Sequence, residues 1–183
     1  TKKSMKEALS FAAQEEAWIR AKLDQLPQRQ GFHDGAVIPL RGVPTTIYHD
    51  PERRRGVWHN AAEATIGVSG DAESIPRRAN AWRRREARHA PIDALSLWTR
   101  RLDLTLPKVS SRDPSSRWGS CSSSGTLSFS WRLILTPPPV LGYVAAHETA
   151  HLRHLNHSKA FWKLVETLDP DYKTAETWMK KNA

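Results

Sequence analysis

Four of the chain's eight histidines, His147, His151, His154 and His157, fall within eleven residues, and Glu148 stands beside the first. On a helix His147 and His151 are about one turn apart, roughly 6 Å along the axis, so both imidazoles can reach one metal ion. Glu148 lies about 100° around that helix from His147, where its carboxylate can take a proton from water held by the metal without being a ligand itself. This is the His-Glu-x-x-His spacing of zinc hydrolases, and multiplying residue frequencies gives it by chance about once in 50 chains of this make-up. The motif alone is therefore a hint, and a third ligand decides its meaning.

Zinc that keeps one position open for water needs three protein ligands. His157 follows His151 by six residues, which on a continuing helix points it about 240° away. It can ligate only if the helix stops and the chain turns back. Asn156 tolerates the left-handed conformation at a helix end, and Ser158 can cap the helix that follows. His154 is on the correct face, but its Cα is roughly 10 Å along the axis from that of His147, too far for one straight helix to supply all three. It is left a role near the metal, toward the substrate, or on the surface. Glu166 competes as third ligand, in the manner of metalloproteases that use a glutamate. We take His147, His151 and His157 as ligands of one zinc per chain and Glu148 as the catalytic base.

Before the histidine cluster, the run Pro137-Pro138-Pro139 stops a strand and pre-sets the first turn of a helix over 140–154, and further helices are expected over 158–168 and 170–180. Segments 104–109, 118–122 and 126–131 read as strands with a turn at Ser124-Gly125, and 127–131 is expected to be an edge along which an extended peptide can pair. From 74 to 102 the periodicity is helical, with Pro91 expected to separate two helices and the arginines on the faces left free. Residues 36–48 predict a hairpin turning at Gly42; 56–59 and 64–68 add two strands, for a small antiparallel sheet. An amphipathic helix over 4–26, closed by Pro27, is expected to serve packing. The fold class is α+β. The parts are 1–106, with the first helix, the strands and the arginine-rich helices, and 107–183, the catalytic part, together one continuous unit.

At 183 residues, 39% hydrophobic and 26% charged, the chain is long and apolar enough to bury one core and too apolar for disorder. Its apolar runs are far shorter than the roughly 20 residues of a membrane-spanning helix. One cysteine, Cys121, excludes an intrachain disulfide and a multi-cysteine zinc finger and fits the cytoplasm. The polar amino end lacks an initiator Met and reads as trimmed; no signal peptide survives in it, and removal of one fits the same reading. Net charge is +9, and 77–88 alone carries Arg77, Arg78, Arg83, Arg84, Arg85 and Arg88 against Glu86. Such a patch is either a solvated helix face or a surface for nucleic acid.

Ser116-Arg117-Trp118-Gly119-Ser120-Cys121-Ser122, Leu127 to Leu133, His147 to His151, Asn156-His157-Ser158, Phe161-Trp162 and Pro170 to Lys173 together resemble the YgjP-like metallopeptidase family, which is related to SprT-like and WLM zincin proteases. The likeness is most specific from Arg117 to Trp178 and extends weakly through the hairpin. It implies a zincin-like α+β fold, a zinc ion, His147, His151 and His157 as its ligands and Glu148 as base. It leaves the substrate open.

Two functions compete. In a zinc peptidase the metal acidifies water, Glu148 takes the proton, and a peptide carbonyl is attacked. In a nucleic-acid module the metal is structural and the arginines do the binding, but structural zinc is usually closed by four ligands and rich in cysteine. A DNA-associated protease acting on DNA-bound proteins would join the two, by analogy with the SprT-like group. Trp118, Trp131 and Trp162 are read as core or pocket wall, and Cys121 as an inert buried thiol. Arg117 either stabilises an oxyanion or pairs with Asp113, and Tyr143 either lines the pocket or packs.

Overall fold

In the computed structural model, residues 2–24, 31–54, 56–112 and 117–182 are described. The chain divides into two compact units, Thr1–Gly31 and Phe32–Ala183. In the first, the helix expected over 4–26 is two helices, α1 (Lys2–Gln14) and α2 (Glu16–Asp24). The break falls at Glu15-Glu16, where a carboxylate in the first turn favours a new helix start, and Glu16 pairs with Arg20 at 2.7 Å. Phe11 on α1 and Trp18 on α2 are exposed. The closing signal at Leu26-Pro27 lies outside the described residues.

The second unit opens with β1 (Val37–Leu40) and β2 (Val43–His49), an antiparallel hairpin. Arg41 and Gly42, at φ 51° and 77°, form its turn, the pair of positive φ values that a tight two-residue hairpin requires. β3 (Val57–Asn60) and β4 (Thr65–Val68) follow. The sheet order is β1-β2-β4-β3, with β2 and β4 parallel, so the antiparallel sheet expected from the sequence is mixed. The cause is placement: β4 turns back from β3 and inserts between it and β2. The second sheet repeats the manoeuvre. β5 (Val109–Arg112), β6 (Gly119–Cys121) and β7 (Leu127–Ser130) stand in the order β5-β7-β6, β5 parallel and β6 antiparallel to β7. Residues 104–108, expected at the start of a strand, are irregular. The segment expected to be an edge, β7, is central, because hydrogen bonds on both its sides are taken; β6 is an outer strand.

Between the sheets runs α3 (Ile75–Arg101), one helix of 27 residues, about 40 Å long. Pro91 does not break it. A proline forfeits one backbone bond and crowds the preceding turn, but Pro91 is buried between buried Ala87 and Leu95, and burial on both flanks holds the helix together. Ile75, Ala79, Trp82 and Ala87 belong to the core under the first sheet, with Ile38, Ile47, Ile66 and Ile134. Leu95 belongs to the core around the second sheet, with Leu127, Phe129, Leu133, Phe161 and Val165. A short 3-10 helix, Trp131–Leu135, straddles both, sending Leu133 into one and Ile134 into the other.

At the centre of the second core is α4 (Pro138–His151), packed against α3, β6, α5 (Lys159–Leu168) and α6 (Tyr172–Asn182). Ala145, Ala146 and Ala150 are fully buried; small side chains around the helix let neighbours close on several sides, as a helix apolar all round requires. No helix among the described residues is long and apolar enough to cross a membrane.

Candidate metal centre

α4 stops at His151, earlier than residue 154. Leu152 N–H donates to Thr149 O, and Arg153 and His154 N–H both to Ala150 O, a tightening final turn. Asn156, expected to reverse the chain in a left-handed conformation, is not among the positive-φ residues; a stretch without helix or strand over 152–158 makes the reversal instead. Ser158 does cap α5, its hydroxyl accepting from Phe161 N at 3.3 Å. The turn returns His157 to the last turn of α4.

The donor nitrogens of His147, His151 and His157 all lie within 4.8 Å of one another. His157 Nε2 and His147 Nε2 are 3.2 Å apart. Two nitrogens bound tetrahedrally to one zinc, with bonds of about 2.0–2.1 Å, stand about 3.3 Å apart, so the spacing fits that ion. His151 Nδ1 is 3.0 Å from the His154 carbonyl; donation there leaves Nε2 with its lone pair free for a metal. His154 thus contributes its main chain, a role the spacing of side chains could not reveal. Phe161, fully buried, has its ring 4.9, 4.6 and 4.8 Å from those of His147, His151 and His157, and Trp162 stacks on His157 at 5.8 Å. One apolar floor supports all three imidazoles. Glu166 is exposed on α5 and outside the group.

Burial, together with the neighbouring His151 and His157, lowers the pKa of His147 to about 4. Burial also lowers that of His151, against the raising effect of its bond to the His154 carbonyl. Both imidazoles are therefore neutral, the ligating form, at ordinary pH. Glu148 is 4% exposed. Desolvation raises its pKa to about 7, with Arg117 pulling it back down, and its Oε2 is buried with no hydrogen-bond partner. An unpartnered acceptor poised near neutrality beside three convergent nitrogens is equipped to hold and release a proton. Asp113, the other partner considered for Arg117, lies outside the described residues.

Gly119 on β6 explains how Glu148 is confined. A Cβ at this position would come within 2.5 Å of Glu148 Oε1 and 2.8 Å of its Cγ, so only glycine lets the strand lie this close to the carboxylate. Beside it a small cavity of about 170 Å3 is walled by Trp118, Tyr143, Val144 and Met179 with His147 and Glu148. Tyr143 stacks on Tyr172, and burial pushes its phenol up to about 12. Cys121 lies outside the ligand group, its thiol raised by burial and then by the nearby Glu148 charge.

The chain matches the YgjP-like metallopeptidase domain over residues 1–182. Among solved structures, that of the metallopeptidase zymogen of Pyrococcus abyssi abylysin is similar at 26% identity and a TM-score of 0.46, over 50% of this chain and 93% of that one. No curated protein sequence matches the chain.

Proposed function

Because this chain belongs to the YgjP-like metallopeptidase family, and is thereby a metal-dependent hydrolase, we propose that it is a zinc peptidase in which His147, His151 and His157 hold the ion and Glu148 is the general base. The observation that carries the reading is the convergence of three imidazole nitrogens within 4.8 Å beside a buried, unpartnered carboxylate.

When bound, an ion of this class supplies Lewis-acid chemistry, acidifying water and polarising a carbonyl. The chain's own side chains do the rest. Glu148 accepts the proton of the attacking water and later gives it to the leaving amine; a pKa of about 7 suits transfer in both directions near neutral pH. Arg117 keeps part of the carboxylate population ionised. The outer edge of β6 offers backbone groups to an extended peptide, which would run past Glu148 by strand addition. Three ligands among the described residues, with Cys121 outside the group, favour an open catalytic position over a closed structural site. The free thiol fits a reducing compartment, and we place the protein in the cytoplasm on that ground.

Metal analysis of purified variants tests the ligand set. His147→Ala, His151→Ala and His157→Ala should each lose the ion, because two imidazoles hold it too weakly, while Glu166→Ala keeps it. Zinc retained in His157→Ala and lost in Glu166→Ala would replace the third ligand. Glu148→Gln should keep metal and fold and lose hydrolysis, since an amide cannot take the proton; parental activity in that variant removes the base.

A further inference from the structure

Two cavities meet at Arg112. The larger, about 730 Å3, lies beside β6 and is lined by Arg112, Arg117 and a wall of hydroxyls that includes Ser120 and Ser122. The smaller, about 280 Å3, is walled by Arg84, Arg88, Ser111, Arg112 and Trp131. No acidic side chain among the described residues lines either one. Arg84 and Arg88 are one turn apart on α3 and so project to the same side. Arg112 ends β5 and Arg117 leads into β6. All four are exposed, and none forms an ion pair among the described residues. The field of Arg117 reaches Glu148. A row of guanidinia without ion pairs among the described residues therefore runs from the face of α3 toward the proposed catalytic carboxylate.

We propose that this row binds a run of Asp and Glu residues flanking the scissile bond, so that the substrate class is acidic polypeptide. The proposal rests on the peptidase reading above. One chain that pairs with the edge of β6 and then turns across the end of the sheet, past β7, reaches Arg112 on β5 and the smaller cavity, which joins both features in a single ligand. A nucleic-acid strand fits less well. Single strands are held by stacking bases on aromatic faces as well as by charge, and the tryptophan that lines the smaller cavity is already covered: the Arg83 guanidinium lies 3.4 Å over the Trp131 ring. Of the six arginines that made a polyanion face in the sequence, Arg83 is spent on Trp131, Arg78 turns to the Ser69 hydroxyl at 3.4 Å, and Arg85 faces Glu86 at 3.6 Å.

The experiment uses the zinc-loaded full chain and two fluorogenic peptides with the same apolar centre, one flanked by four acidic residues and the other by their amides. The acidic peptide should show a KM about tenfold lower, the size expected of a few exposed charge pairs, and this preference should shrink as salt rises from about 0.05 to about 0.5 M. Arg84→Gln with Arg88→Gln should raise KM for the acidic peptide about tenfold with kcat unchanged, bringing the preference close to one. Arg54→Gln with Lys181→Gln, removing the same charge outside both cavities, should preserve it. A second readout, anisotropy of both labelled peptides and of single-stranded DNA on Glu148→Gln protein, does not depend on turnover. Equal KM and equal affinity for the two peptides overturn the acidic surface and leave the peptidase standing. Selective binding of the acidic peptide by Glu148→Gln, with neither peptide cut by the parent, supports the surface and sinks the peptidase. DNA that binds more tightly than the acidic peptide, and loses its affinity with Arg84 and Arg88, overturns the proposal in favour of nucleic acid.

Discussion

Gly119 sets the distance between a strand and the proposed base, and it does so by having no side chain. The atoms that an added Cβ would strike all belong to Glu148, at 2.5, 2.8 and 2.9 Å, and that side chain is buried and cannot swing into solvent. Gly119→Ala should therefore lower kcat at least tenfold while metal content stays at the parental level, a split that metal analysis and steady-state kinetics resolve. Phe161 supports the three proposed ligands in a comparable way. Phe161→Leu keeps an apolar residue but removes the common floor, and zinc affinity in a chelator competition should fall by about 10-fold or more, the cost usual for groups that orient ligands. Cys121 bears on reactivity. Burial and the Glu148 charge both raise its pKa, and a raised thiol pKa means less thiolate at any given pH below it, so iodoacetamide should alkylate it more slowly than a free cysteine at pH 7.5, with the rate climbing as pH rises. Removing the charge in Glu148→Gln takes away the second cause and should speed the reaction.

Among the elements, the junction of α4 and α5 matters most, because it brings His157, six residues beyond the helical motif, back beside His147 and His151. Ser158 anchors it by capping α5. Ser158→Ala should cost about 1 kcal/mol of stability in denaturant unfolding, and, since the cap lies next to His157, it should also weaken zinc binding; a stability loss with unchanged affinity would mean that packing of Trp162 on His157 suffices to hold the ring. Helix α3 teaches a different point. Pro91 is a helix breaker by local rules, yet α3 runs through it with Ala87, Pro91 and Leu95 all buried. The sequence rule weighs one lost backbone bond, whereas the folded helix weighs that bond against the burial of its whole inward face, and burial wins.

Over the whole of Phe32–Ala183, two cores share α3 and the segment Trp131–Leu135, where Leu133 and Ile134 point into different cores. Such sharing should make this unit unfold in one calorimetric transition, and removing zinc with a chelator should lower its midpoint, since an ion that binds only the folded site stabilises it by mass action. Two separated transitions within residues 32–183 would contradict the coupling. What was legible beforehand follows from short range. The His147-Glu148-x-x-His151 spacing places its groups by helix geometry alone, the hairpin at Arg41-Gly42 and the cap at Ser158 depend on one or two residues, and the α+β class follows from the switch between period two and period 3.6. What needed the fold is long range. No periodicity says that β4 inserts between β2 and β3 or β7 between β5 and β6, because the alternation of a strand is the same whichever neighbour it takes; hence the mixed sheets and the outer place of β6 among the described strands. The carbonyl of His154, the glycine against Glu148 and the sharing of five arginines among Trp131, Ser69, Glu86 and an open cavity are likewise matters of which surfaces meet. Sequence spacing orients a side chain on its own element, and only packing decides what stands opposite it.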